Sequence, residues 1–77
     1  MPYIQGMEKT FSGKRLQGER EKRKLSRADL GYLANISERT VSNYETGASK
    51  PDVDTLERIS SALGRRSSVF FEEARTL

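Results

Sequence analysis

Hydrophobic residues recur at helical spacing through the second half of this chain, most clearly in Val53, Leu56, Ile59, Ala62 and Leu63, which share one face of an α-helix. Asp52 is suited to cap the start of that helix and Gly64 to end it, and the stripe between them is the strongest core signal in the sequence. A shorter stripe, Leu30, Leu33 and Ala34 at i, i+3 and i+4, predicts a helix over about residues 27–34. Ser26, followed three residues later by Asp29, resembles a capping box at its start. Asn35 then tolerates the left-handed conformation of a sharp turn, Ile36 plugs inward, and Ser37 can cap a further helix with Val41 and Tyr44 inward, stopping at Gly47.

The flanks are read from propensity. Residues from about 12 to 24 are strong helix formers apart from Gly13 and Gly18, while residues 47–51 are turn formers. Ser67 or Ser68 is expected to cap a last short helix holding Val69, Phe70 and Phe71, which close the bottom of the core. No strand-type alternation runs longer than a few residues. The expectation is an all-α fold, a compact bundle of five short helices, with residues 12–71 as the domain, 1–11 as an N-terminal arm and 72–77 as a C-terminal tail or the start of a linker.

Residues 27–46, RADLGYLANISERTVSNYET, have the outline of a helix-turn-helix. Two helices that cross closely need a very small residue at the fifth position and a sharp turn at the ninth, and Gly31 and Asn35 stand there. Leu30, Ile36, Val41 and Tyr44 face inward, leaving Glu38, Arg39, Ser42, Asn43 and Thr46 on the outer side of the second helix.

Composition narrows the function. With 77 residues there is room for one small domain, and the absence of cysteine and histidine removes disulfides, thiol nucleophiles, a histidine base and the usual soft metal ligands. No catalytic residue, metal or cofactor is expected. No apolar run approaches the roughly 18 residues of a membrane span, and the opening MPYIQGMEKTF lacks the apolar region of a signal peptide, so a cytoplasmic protein away from membranes is expected. Net charge is only +3, but residues 9–27 hold eight basic side chains against two acidic ones, a local field suited to phosphate backbones or simply a solvated first helix.

These motifs together resemble the lambda-repressor-like, Xre-type helix-turn-helix family. The resemblance spans about residues 12–71 and rests on Arg20 ahead of Leu25-Ser26, the stretch from Leu30 to Ser37, Tyr44-Glu45-Thr46-Gly47, Pro51, Leu56 and Ala62-Leu63-Gly64 before Val69-Phe70-Phe71. The sequence departs from the family pattern at Glu19, where an apolar residue is usual, at Gly18, where a better helix former is usual, and at Asn35 and Tyr44, where glycine and an aliphatic residue are common. With only Leu16 and Phe11 left to bury, the first helix is expected to be the least anchored.

The resemblance implies a sequence-specific double-stranded DNA-binding regulator of phage or bacterial type, a repressor, whose helix 37–46 reads a major groove. The base-contacting residues would be Glu38, Arg39, Ser42 and Asn43. Arg39 can fork onto guanine and Asn43 onto adenine, and Glu38 either accepts from cytosine or favours the helix dipole. Phosphate contacts would come from Arg27, Ser37, Thr40 and Lys50, and Arg20 would pair with Glu45 inside the domain. One domain reads few base pairs, so a homodimer on a palindromic operator is expected, with Tyr3, Ile4, Phe70, Phe71 and Leu77 as apolar residues available for its seam. The rival reading is a protein-interaction adaptor or antitoxin-type module of the same fold. A protein partner would then be a toxin, an anti-repressor, or the C-terminal domain of a longer chain.

Overall fold

The computed structural model describes residues 9–73. Their order is β1 (Lys9–Phe11), α1 (Gly13–Lys22), α2 (Arg27–Ala34), α3 (Glu38–Thr46), α4 (Val53–Leu63), a 3-10 turn (Ser67–Phe70) and β2 (Phe71–Glu73). Local chemistry sets the helix starts. Ser12 accepts from the Arg15 N–H, Ser37 from that of Thr40 and Asp52 from that of Thr55, while Ser26 and Asp29 form the full reciprocal capping box. Asn35, Gly47 and Gly64 end α2, α3 and α4 in the left-handed conformation, with φ of 60°, 88° and 65°. The end of α1 is different: Lys24 takes φ 56°, and the chain is held there by Arg20, whose Nη1 donates to the Leu25 carbonyl at 2.8 Å.

Leu16, Leu30, Ala34, Val41, Tyr44, Leu56, Ile59, Leu63 and Phe70 make one core, and each large aliphatic or phenyl side chain buried there contributes about 1.5–3 kcal/mol. Two expected members are outside it. Leu33 is 52% exposed because the buried face of α2 runs through Leu30, Gly31 and Ala34, which turns Leu33 out towards solvent. Val53 is 76% exposed because it stands on the first turn of α4, ahead of Thr55 and Leu56, where burial begins.

Among the described residues the expected five helices are four, with a 3-10 turn and a two-stranded antiparallel ribbon in place of the fifth. Lys9 pairs with Glu73, Thr10 with Glu72 and Phe11 with Phe71. Phe11 packs edge-on against Phe71 and Tyr44, with ring centroids 6.1 and 6.5 Å apart, and this anchors strands too short to show alternation in sequence. Neither Ser67 nor Ser68 caps the 3-10 turn, which Arg66 precedes without a side-chain bond. Phe70 is fully buried and therefore drops out of any dimer seam, Phe71 is half-buried, and Tyr3, Ile4 and Leu77 lie outside the described residues.

Helix α1 is also better anchored than its apolar content suggests. A Cβ on Gly13 would lie 2.3 Å from the Tyr44 carbonyl oxygen, so the start of α1 rests directly on the backbone of α3, and the Ser12 N–H donates to the Phe70 carbonyl at 2.7 Å. Glu19, in place of an apolar residue, is buried and accepts from Arg23 at 3.1 Å and from Arg65, beyond α4, at 3.0 Å. Among the described residues no helix is long and apolar enough to cross a membrane.

Candidate nucleic-acid interface

The position of α3 follows from the turn before it. A Cβ at Gly31 would lie 2.6 Å from the Ile36 carbonyl oxygen, so α2 and the 35–37 turn meet at backbone distance and α3 leaves at a fixed angle. Val41, Tyr44 and Glu45 are buried. Rotation about the helix then puts Glu38, Arg39 and Thr46 in solvent and leaves Ser42 and Asn43 half-buried on the outer side. Neither Glu38 nor Arg39 has a side-chain partner among the described residues. Asn43 uses its backbone carbonyl for the Thr46 hydroxyl and the Ser49 N–H, and its amide has no partner among the described residues.

The proposed phosphate ligands are more engaged. The Ser37 hydroxyl accepts from the Thr40 N–H at 3.0 Å and shares a bond with the Thr40 hydroxyl at 2.8 Å, which leaves one hydroxyl hydrogen of the pair for an outside acceptor. Lys50 donates to the Thr10 hydroxyl at 3.3 Å, tying the loop after α3 to β1, and its ammonium retains two further N–H groups. Arg27 at the head of α2 donates from Nε to Glu45 Oε1 at 2.9 Å.

Glu45 therefore serves two guanidiniums. Arg20 meets it in a side-on fork, Nε to Oε2 at 2.6 Å and Nη2 to Oε1 at 3.0 Å, with the two side chains 9% and 0% exposed. The bond to Glu45 holds the guanidinium of Arg20 above its ordinary pKa despite its burial. Arg20 and Arg27 thus converge on one carboxylate from α1 and α2.

The basic segment does not act as a free field. Arg15, Arg20, Lys22, Arg23 and Arg27 each have a carboxylate within 4.0 Å, and only Lys9, Lys14 and Lys24 of the eight cations have none among the described residues. Sequence reasoning missed Glu19 as the sink for much of this charge. The available signal was Glu19 four residues before Arg23 on one helix face, whereas nothing local pointed to Arg65.

Fold and exposed face together define a lambda-repressor-like helix-turn-helix domain. The chain belongs to the helix-turn-helix family, whose model HTH_3 matches residues 16–70; this is a family of DNA-binding regulators and not of enzymes. It is similar to the P22 c2 repressor solved in complex with synthetic operator 9T, with TM-score 0.75 and 26% identity over 79% of this chain and 92% of that one. The restriction-modification controller protein C.AhdI from Aeromonas hydrophila shares the fold, with TM-score 0.74 and 24% identity over 77% and 89%. Hydroxypropylphosphonic acid epoxidase from S. wedmorenis contains a similar unit, with TM-score 0.71 and 26% identity, over 78% of this chain but only 32% of the enzyme. In sequence, 42 residues are 48% identical to a protein of Methanospirillum hungatei named as an HTH-type transcriptional regulatory protein. They make up 54% of this chain, and the match spans 14% of that protein's length.

Proposed function

We propose that the chain binds double-stranded DNA sequence-specifically, as a transcriptional repressor, with α3 in the major groove. The observation that carries this reading is the outer face of α3, where Arg39 and Asn43 stand one turn apart with their polar ends unpartnered among the described residues while the inner face is locked into the core. Arg39 is suited to guanine O6 and N7 and Asn43 to adenine N6 and N7, with Ser42 and Glu38 beside them. The Ser37–Thr40 hydroxyl pair, Lys50 and Arg27 flank the face and supply backbone contacts that fix register. The similarity to a repressor solved with an operator supports the same reading. A single domain contacts too few base pairs for high affinity, so the operator is a palindrome read by a homodimer across half-sites about one helical turn apart.

The test is duplex affinity across a salt series, on sites selected from random sequence, for wild type, Arg39→Ala and Asn43→Ala. Each substitution is expected to weaken the selected site by about 1–3 kcal/mol and to relax preference at one position. Wild-type affinity should fall steeply with salt. Binding with neither sequence preference nor salt slope would overturn the proposal and favour the adaptor reading.

A further inference from the structure

We infer that Glu45 is a positioning residue for DNA binding: its buried carboxylate grips Arg27 by Nε and so aims the two terminal nitrogens of Arg27 at a phosphate beside the head of α2. This inference rests on the DNA-binding reading above.

Glu45 is wholly buried, Arg20 nearly so, and Arg27 is 38% exposed. Arg20 also lies 3.9 Å from the exposed carboxylate of Glu21, so two guanidiniums are matched by two carboxylates, and the Arg27 end of the group reaches solvent beside the head of α2. Because Nε is the nitrogen that binds Glu45, Nη1 and Nη2 are left as a planar pair of donors with no acceptor among the described residues. The nearest carboxylate in sequence, Asp29, does not compete, since it accepts from the Ser26 N–H in the capping box. That same box leaves the N–H groups of Arg27 and Ala28 without an acceptor among the described residues at the first turn of α2, where a phosphate is favoured. Arg20 completes the device by holding both Glu45 and the Leu25 carbonyl, one residue before the cap.

An arginine already ordered in the free protein does not lose its side-chain freedom on binding, an advantage of roughly two- to tenfold in affinity. Charge alone predicts the opposite sign for Glu45→Gln, because removing a negative charge near the interface should tighten binding to a polyanion.

The experiment is fluorescence anisotropy at low salt with a selected duplex, for wild type, Glu45→Gln, Arg27→Ala, Arg27→Lys and the Glu45→Gln/Arg27→Ala double variant, each checked for folding by circular dichroism. Positioning predicts that Glu45→Gln weakens binding roughly two- to tenfold in the wild-type background and not at all in the Arg27→Ala background. Arg27→Lys should bind as poorly as Arg27→Ala, since one ammonium cannot present a forked pair while held by Glu45. Tighter binding by Glu45→Gln, or the same loss in both backgrounds, would overturn the inference. If Glu45→Gln does not fold, Arg27→Lys decides alone, and wild-type affinity in it would refute positioning. A wild-type protein that binds no duplex removes the DNA reading and this inference with it, a failure visible before any variant is compared.

Discussion

Replacing Arg20 with alanine should cost the folded state about 3 kcal/mol at pH 7, and the magnitude follows from what remains around Glu45. Removing one partner of a buried ion pair destabilises by roughly 3–5 kcal/mol because the other charge is left in a medium that solvates it poorly. Here the abandoned carboxylate is 0% exposed and loses bonds of 2.6 and 3.0 Å, but Arg27 still donates to it at 2.9 Å, so the low end of the range applies. A domain of 77 residues is stable by roughly 4–12 kcal/mol, so Arg20→Ala should still fold but unfold at much lower denaturant. Urea titration followed by circular dichroism measures this, provided the dependence on denaturant keeps its slope. In an Arg27→Ala background the same substitution leaves Glu45 with neither guanidinium, and the loss should approach 5 kcal/mol. A loss under about 1 kcal/mol, or an identical loss in both backgrounds, would show that the carboxylate does not depend on these partners.

Other consequences are equally measurable. Leu30→Ala should cost about 2–5 kcal/mol in urea titration, whereas Leu33→Ala, half exposed on the same short helix, should change stability by no more than about 0.5 kcal/mol. Gly31→Ala puts a methyl 2.6 Å from the Ile36 carbonyl and should cost about 1–3 kcal/mol by forcing the turn apart; a neutral result would show that α2 and α3 separate freely. Glu19→Leu should be near neutral or slightly stabilising, since Arg23 and Arg65 are 33% and 39% exposed and can return to water; a loss above about 2 kcal/mol would contradict this. Burial pushes the Glu19 carboxyl up, but the bond from Arg23 and the charges of Arg65 and Lys22 bring it below its ordinary value, and bonds from the Ser26 and Thr55 backbone lower Asp29 and Asp52. These groups are depressed in the folded state, so their stabilisation is complete above the ordinary carboxylate range of about pH 4 and is lost as pH falls through the lower folded values. A urea midpoint that stays flat from pH 7 to pH 3 would refute that linkage.

The features legible in the sequence are those decided within a few residues. Ser26 and Asp29 cap each other across one turn, Asn35, Gly47 and Gly64 supply their own positive φ, and the small residue at Gly31 answers to a carbonyl five positions away. The features that escaped depend on residues far apart. The ribbon pairs Lys9 with Glu73, Gly13 owes its place to the backbone of Tyr44 and Glu45, and Glu19 is bonded to Arg65. A three-residue strand has too few positions to show a period, and a glycine at a distant backbone crossing has the same local signature as a weak helix position. Arg20 and Glu45 were legible only through family resemblance, because no spacing rule joins residues 25 apart.

Charge shows the same limit with a functional consequence. Counted along the chain, residues 9–27 look like a basic arm for phosphate, yet two buried carboxylates, Glu19 and Glu45, engage four of their cations. What remains of that segment among the described residues is Lys9, Lys14, Lys24 and the outer end of Arg27, joined by Arg39 on the outer face of α3 and Lys50 after it. A diffuse field would bind any duplex with an affinity set by total charge, whereas a few oriented donors on a rigid frame favour one register over its neighbours. On the proposed DNA-binding function, the burial of carboxylates beneath the basic segment would weaken general attraction to DNA while leaving the oriented donors intact, and that division would be the physical basis for discriminating between sequences.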